Sequence, residues 1–324
     1  MLTTVVGNYP KIPNRPRPAR LRNAVNRFDR GEISAEELRA VEDNVTREVI
    51  GEQVEAGLDL VTDGQIRWED EQTYVARRLD GVSINGLIRF FDANTYFRQP
   101  VVEGSLAWTG PITVTDYRFA AEHSPRPVKA VLPGPYTLAR LSGDEHYHSL
   151  EKCVVAYAEA LNQEARALQE AGAAFIQFNE PAIVKHKTDL LLFQQAIERT
   201  LEGVTAERAL YLYFGDVDGL YPQVLDLPID VLGLDFVTGA RNLEVLKRAP
   251  FTKTLGLGLV DARNTRMESV EQIVDGLRRV QEIVSFDRLH LSPSCGLEFL
   301  PREVAQAKLV RMVEGARRAQ EVLA

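Results

Sequence analysis

Two hydrophobic rhythms alternate along the chain. Short apolar and β-branched runs are followed by longer stretches whose apolar positions recur at helical spacing. The runs predict eight strands, over 2–7, 58–62, 128–132, 174–178, 209–214, 231–235, 254–260 and 289–292. The amphipathic stretches predict helices over 35–56, 149–171, 190–202, 242–248, 269–284 and 302–322. Ser34 before Glu36 and Glu37, and Thr188 before Asp189, read as helix N-caps, with Gly57 and Gly172 as C-terminal caps. Eight strands interleaved with helices predict an α/β fold, a single (β/α)8 TIM barrel over 1–324. An open doubly wound sheet is the competing arrangement. No GxGxxG follows the first strand, which lowers its dinucleotide-binding form.

Residues 66–127 break the rhythm between strands two and three. The segment carries Arg67, Trp68, Asp70, Tyr74, Arg77, Arg78, Phe90, Phe91, Tyr96, Phe97, Arg98 and Trp108. It is aromatic and basic, and is expected to form an inserted cap, either a hairpin packed on the barrel or a lid over its mouth.

Composition narrows the class. The 324 residues hold 38 Lys plus Arg against 46 Asp plus Glu, a net charge of −8. That balance argues against a nucleic-acid or anionic-membrane surface, though not against a local basic pocket. No window resembles a membrane span or a secretory leader. Two cysteines, Cys153 and Cys295, make no disulfide scaffold and no CxxC pair. A cytoplasmic setting is expected. Cys153 lies within an amphipathic helix and reads as core.

Barrel chemistry sits where strands end. Those ends read Gly7-Asn8-Tyr9-Pro10, Thr62-Asp63-Gly64-Gln65, Pro133-Gly134-Pro135-Tyr136-Thr137, Asn179-Glu180-Pro181-Ala182, Tyr213-Phe214-Gly215-Asp216, Asp235, Asp261-Ala262-Arg263-Asn264 and Ser292-Pro293-Ser294-Cys295-Gly296. Glu180 and Asp261 are candidates for acid–base work or substrate orientation, with Asp63 behind them; a carboxylate paired with a neighbouring arginine is the bland reading. Asp235 either contributes to the site or simply ends its strand. Gly134 to Thr137 can present backbone amides to an anion or merely turn the chain. His146 and His148, beside Asp144 and Glu145, would share a face on a strand and could bind a metal; in a loop the pattern carries little. His186 follows the strand-four motif, His290 alternates within strand eight, and His123 reads as a surface loop residue.

The ordered motifs GNYP, GLDLVTDGQ, LPGPYT, IQFNEPAI, LGLGLVDARNTRMES and LSPSCGLEFLP resemble the catalytic barrel of cobalamin-independent methionine synthases, within a superfamily that includes uroporphyrinogen decarboxylase. The resemblance runs from about residue 5 to 320. It implies a methyltransferase that activates a homocysteine thiol on zinc, held by a His-x-Cys pair after strand five, a Glu after strand six and a Cys after strand eight. Only Cys295 matches outright. The strand-five stretch carries Leu210-Tyr211-Leu212-Tyr213, and Asp235 stands at the Glu position. Asn179 and Gln65 replace two family carboxylates, Arg263 replaces a proton-handling histidine, and Leu141 stands where a folate-stacking tryptophan is expected.

These replacements make the strand ends less acidic. Arg263, with Arg67 and Arg140, is expected to take a carboxylate or phosphate, on a substrate lacking an ammonium at the old position. The expected activity is one-carbon methyl transfer to a small anionic substrate, without ordinary zinc-thiolate chemistry. Its expected site comprises Glu180, Asp261, Arg263 and Cys295 as catalytic groups. Gly7, Asn8, Asp63, Gln65, Arg67, Asn179, Tyr213 and Asp235 would bind substrate. Folate, methylcobalamin or a corrinoid protein is the implied methyl source, and zinc is left open on Cys295 and Asp235. The alternatives are a metal-free decarboxylase or lyase, and a non-catalytic folate- or corrinoid-binding paralogue.

Overall fold

The computed structural model describes residues 1–11 and 19–323. Its strands are β1 (Leu2–Thr3), β2 (Leu79–Arg89), β3 (Tyr96–Trp108), β4 (Ala130–Pro133), β5 (Gly143–Asp144), β6 (Phe175–Asn179), β7 (Glu207–Leu212), β8 (Val231–Asp235), β9 (Thr254–Val260) and β10 (Leu289–Pro293). Seven form one sheet in the order β1-β10-β9-β8-β7-β6-β4. The β1–β10, β4–β6, β6–β7 and β7–β8 pairs are parallel. The predicted second strand is reduced to isolated parallel bridges, Leu60 to Thr4 and Val61 to Val128. All eight predicted strand positions are therefore occupied, in the order of an α/β barrel. β8 and β9 match the predicted bounds.

The chain divides into two compact units. The first holds Met1–Arg67, Phe119–Val128 and Leu257–Ala324; the second holds Trp68–Arg118 and Lys129–Gly256.

Helix starts follow local chemistry. Ser34 caps Ala35–Glu55 as a capping box: its Oγ accepts from Glu37 N at 3.1 Å, and Ser34 N donates to Glu37 Oε2 at 2.8 Å. Gly57 and Gly172 take the left-handed conformation expected of C-terminal caps. Thr188 does not cap. A 3-10 turn, Lys187–Asp189, precedes the helix Leu190–Thr200. The Asp189 carboxylate instead takes the Tyr136 hydroxyl at 2.6 Å and pairs with Arg140. His123, expected in a loop, closes the helix Val114–His123.

The core of the first unit packs Ala35–Glu55 and Arg302–Leu323 around buried Val49, Ile50, Leu309 and Met312. A buried ion pair, Arg302 to Glu52 at 3.1 Å, lies within it. In the second unit all five residues of β6 are buried, as are all five of β8. That is the signature of parallel strands covered on both faces.

The aromatic segment forms the antiparallel β2–β3 hairpin, preceded by the helix Glu71–Ala76. β3 also pairs in parallel with β5. Its tip is aromatic: the Phe90 and Phe91 rings lie 6.0 Å and 5.7 Å from that of Phe214, which follows β7.

One buried carboxylate ties this hairpin down. Glu164, on the helix Leu150–Glu170, accepts from Trp108 Nε1 and Ile112 N at 2.8 Å, and from Thr113 N and Oγ1 at 2.7 Å. Replacing Glu164 by Ala leaves four donors unpaired. It is expected to cost about 3–5 kcal/mol in urea unfolding, against about 1–2 kcal/mol for Glu164→Gln. Equal small losses would show that the hairpin does not depend on this anchor.

Candidate active site

In the second unit the strand-four motif is built into backbone. Glu180 is fully buried, and its Oε1 accepts from Tyr136 N at 2.9 Å. Its Oε2 takes Thr137 N at 2.8 Å and Thr137 Oγ1 at 2.6 Å. The carboxylate thus caps the helix Pro135–Leu141, whose Gly134 cap residue has no side chain to do so. A Cβ on Gly134 would lie 2.1 Å from Glu180, so the glycine is required for that approach. Burial pushes the Glu180 carboxyl up to about 7, while the Thr137 hydroxyl and the two amides hold it down. The Gly134–Thr137 amides are occupied from within the chain.

Asn179 joins a buried polar chain. Lys129 Nζ donates to Gln177 Oε1 at 2.6 Å, Gln177 Nε2 to Asn179 Oδ1 at 2.8 Å, and Asn179 Nδ2 to Glu71 Oε1 at 2.8 Å. All four side chains are at least nine-tenths buried. Desolvation drives the Lys129 ammonium well below its usual value. Its Nζ also lies 5.1 Å from the centroid of the Tyr211 ring.

Tyr211 and Tyr213, both buried, occupy the end of β7. The Tyr211 ring lies across β8 and the start of β9. A Cβ on Gly233 would meet it at 2.4 Å, and one on Gly256 at 2.8 Å. Tyr213 stacks edge-on with Phe214 at 4.8 Å. Asp235, at the end of β8, spends both oxygens on backbone: Oδ1 takes Val237 N and Thr238 N at 2.8 Å, Oδ2 takes Phe214 N at 3.1 Å. Burial nevertheless raises its carboxyl.

The first unit knits three strand-end loops together. Thr62 Oγ1 donates to Gly7 O at 3.0 Å, Tyr9 N to Gly64 O at 3.0 Å, and Leu297 N to Asn8 O at 2.9 Å. Asp63 Oδ1 takes Gln65 N at 3.0 Å. Gln65 adopts a positive φ of 53° and is 1% exposed, and neither of its amide atoms has a hydrogen-bond partner. Buried primary amides left in that state are uncommon in folded proteins. Cys295 is buried, its thiol donating to Gly296 O at 3.5 Å. Asp261 Oδ1 accepts from Arg263 N at 2.8 Å, and Asp261 N donates to Glu268 Oε1 at 2.9 Å. Buried Lys308 holds Glu268 in turn at 2.8 Å.

The three arginines differ. Arg263 is exposed, with its guanidinium 5.8 Å from the Phe299 ring centroid. Arg67 is buried against Asp43 at 2.5 Å, and Arg140 is paired with Asp189. His146 and His148 are exposed loop residues. Asp144, beside them, accepts from the amides of His146, Tyr147 and Ser149, which makes it the organiser of that loop.

Zinc requires about four converging nitrogen, sulfur or carboxylate donors. Tyr211 and Tyr213 supply none of the expected imidazole or thiolate, and Asp235 is consumed by three amides. Among the described residues no three His, Cys, Asp or Glu side chains gather as a metal site. The donor set does not fit the metal.

Sequence reasoning missed Lys129 and Glu71. Lys129 was signalled by a charge at the head of a strand run. Glu71 was hidden in the run Glu69-Asp70-Glu71.

Comparison with known proteins agrees with the architecture. Residues 1–318 match the family model described as "Cobalamin-independent synthase, Catalytic domain". A methionine synthase of Saccharolobus solfataricus is 32% identical over 323 residues, covering 99% of this chain and 95% of that relative. One from Sulfurisphaera tokodaii is 31% identical, covering 99% and 93%. The structure of a B12-independent methionine synthase from Shewanella sp. W3-18-1, in complex with selenomethionine, superposes with a TM-score of 0.88 at 25% identity, covering 100% of this chain and 99% of that one. The chain belongs to the cobalamin-independent methionine synthase catalytic-domain family.

Proposed function

We propose that this protein transfers a one-carbon methyl group to a small substrate bearing an anionic group, by a route that does not pass through a zinc-bound thiolate. The observation that carries this reading is Tyr211, whose ring fills the space over Gly233 and Gly256 at the strand end where the family resemblance expects a metal ligand. The relatives are named methionine synthases, which makes methyl transfer the favoured reaction class.

The residues divide the work. Glu180 and Asp235 hold loops through backbone amides, so they position rather than react. Gln65 offers a donor and an acceptor to a ligand. Exposed Arg263 offers a guanidinium to a carboxylate. Proximity then carries the larger share of the rate. Folate, methylcobalamin and a corrinoid protein remain the candidate methyl sources. The decarboxylase reading asks for several arginines available to substrate carboxylates, whereas Arg67 and Arg140 are each already bound to an aspartate.

Isotopically labelled methyl-folate and methylcobalamin, each offered with thiol acceptors including homocysteine, should yield a labelled product from one donor. No transfer from any combination would remove the reading. Protein purified without chelator should carry substoichiometric zinc, unchanged in Cys295→Ser; one zinc per chain that disappears with Cys295 would restore thiolate chemistry. Arg263→Ala should raise KM for a carboxylate-bearing acceptor roughly tenfold, the value of one charge-assisted contact. An unaltered KM would place the anion elsewhere.

A further inference from the structure

The loop after β10 holds a second carboxylate that none of the site chemistry above uses. Glu298 lies in the 3-10 turn Leu297–Phe299. Its residue is half-buried, yet its Oε2 is sealed from solvent and has no hydrogen-bond partner. That oxygen rests against the Gly296 backbone: a Cβ there would lie 2.1 Å from Oε2 and 3.0 Å from the Asn8 Cβ. Glycine at 296 is what admits the carboxyl to this position, on the loop tied to Asn8 through Leu297 N. The neighbouring 62–65 loop carries another buried group without a hydrogen-bond partner among the described residues, the Gln65 amide. Two such groups on loops joined through Asn8 and Tyr9 mark a place built for a ligand.

A buried carboxylate oxygen without a donor is satisfied by a proton of its own or by one brought to it. We propose, resting on the methyl-transfer reading, that Glu298 is the proton-accepting group of this site, its Oε2 taking the proton that an X–H methyl acceptor loses. The X–H electron pair stays on X and forms the X–CH3 bond. The donor–CH3 bond breaks with its pair left on the folate or corrinoid donor, and the proton passes from Glu298 to that donor or to water.

The carboxyl has the character this needs. Desolvation raises it to about 7, opposed by its own backbone amide and by Lys11, the charged side chain acting on it from the segment after β1. Its folded pKa exceeds the unfolded value, so its contribution to stability is present at acid pH and fades as pH rises through about 7.

Three measurements test this on the full chain. The wild-type rate of transfer should rise with pH through a limb near 7. Glu298→Gln should lose that limb and about a hundredfold in kcat, with KM kept within about twofold, and Glu298→Asp should recover part of the rate. Independently, infrared titrations compared between the two proteins should show more protonated-carboxyl intensity lost between about pH 6 and 8 in the wild type than in Glu298→Gln, which keeps only the contribution of Glu180, also near 7. The melting temperature of Glu298→Gln should gain on the wild type at pH 8 relative to pH 5. A variant retaining both rate and limb overturns the proposal, as does the absence of that infrared difference between wild type and variant. If the wild type transfers no methyl group while the infrared difference is present, the transfer reading fails and a proton-exchanging Glu298 stands.

Discussion

A carboxylate buried at the end of a strand must find donors, and at Glu180 they are the first amides of the next helix. β6 ends, the chain turns, and the acid reaches back to the helix that follows β4. The link joins two adjacent parallel strands and orients the helix between them. It also removes the helix N-terminus as an anion site and removes Glu180 from simple proton transfer, since both oxygens are engaged. Asp235 follows the same rule after β8, with three amides, and Glu164 with two amides, an indole and a hydroxyl. In all three, charge-assisted bonds convert flexible connections into fixed geometry.

The same rule identifies groups outside it. Gln65 and the Oε2 of Glu298 are sealed from water and lack donors or acceptors. A fold that satisfies Glu180, Asp235 and Glu164 so fully has the means to satisfy these as well. Their loops are also constrained. A Cβ on Gly296 would meet the Glu298 carboxyl, and Gln65 holds a positive φ that side chains seldom adopt. Constraint of this kind at unsatisfied polar groups points to ligand contact more directly than the presence of acids at strand ends.

The strand and helix pattern was legible because period-two and helical spacing survive in any single sequence. β8 and β9 fall on their expected bounds, and the capping box at Ser34 was readable from three residues. The strand at 58–62 was overextended: an apolar run cannot show that only Leu60 and Val61 find bridging partners. Thr188 failed as a cap because it lies inside the 3-10 turn Lys187–Asp189, which puts Asp189 at the cap position with its carboxylate engaged by Tyr136 and Arg140. At the site, residue types were legible and their partners were not. Asp235 reads either as a site group or as a strand end, and its three amides are not visible in the sequence; the HxH pair depends on whether it lies on a strand, and Asp144 organises it as a loop. Arg67 and Arg140 read as substrate arginines until Asp43 and Asp189 are found beside them.

Partner identity also changes the meaning of the neutral residue at 179. Taken alone, an asparagine in place of an acid makes the strand end less negative. In the folded chain Asn179 donates to the Glu71 carboxylate at 2.8 Å, and an aspartate at 179 would set two carboxylates at that distance with no proton between them. The amide is therefore the state compatible with Glu71, which stands on the helix that leads into the hairpin. The run Lys129, Gln177, Asn179, Glu71 places its amine at one end and its acid at the other. Both amides are oriented in sequence, each carbonyl toward the lysine side and each N–H toward the acid. Such an arrangement keeps four polar side chains in the interior at low electrostatic cost, because every donor and acceptor along it has a direction set by the ends. The net charge of −8 describes the chain as a whole. At the end of β6, what fixes Asn179 is this ordered run, which ends on the Glu71 carboxyl.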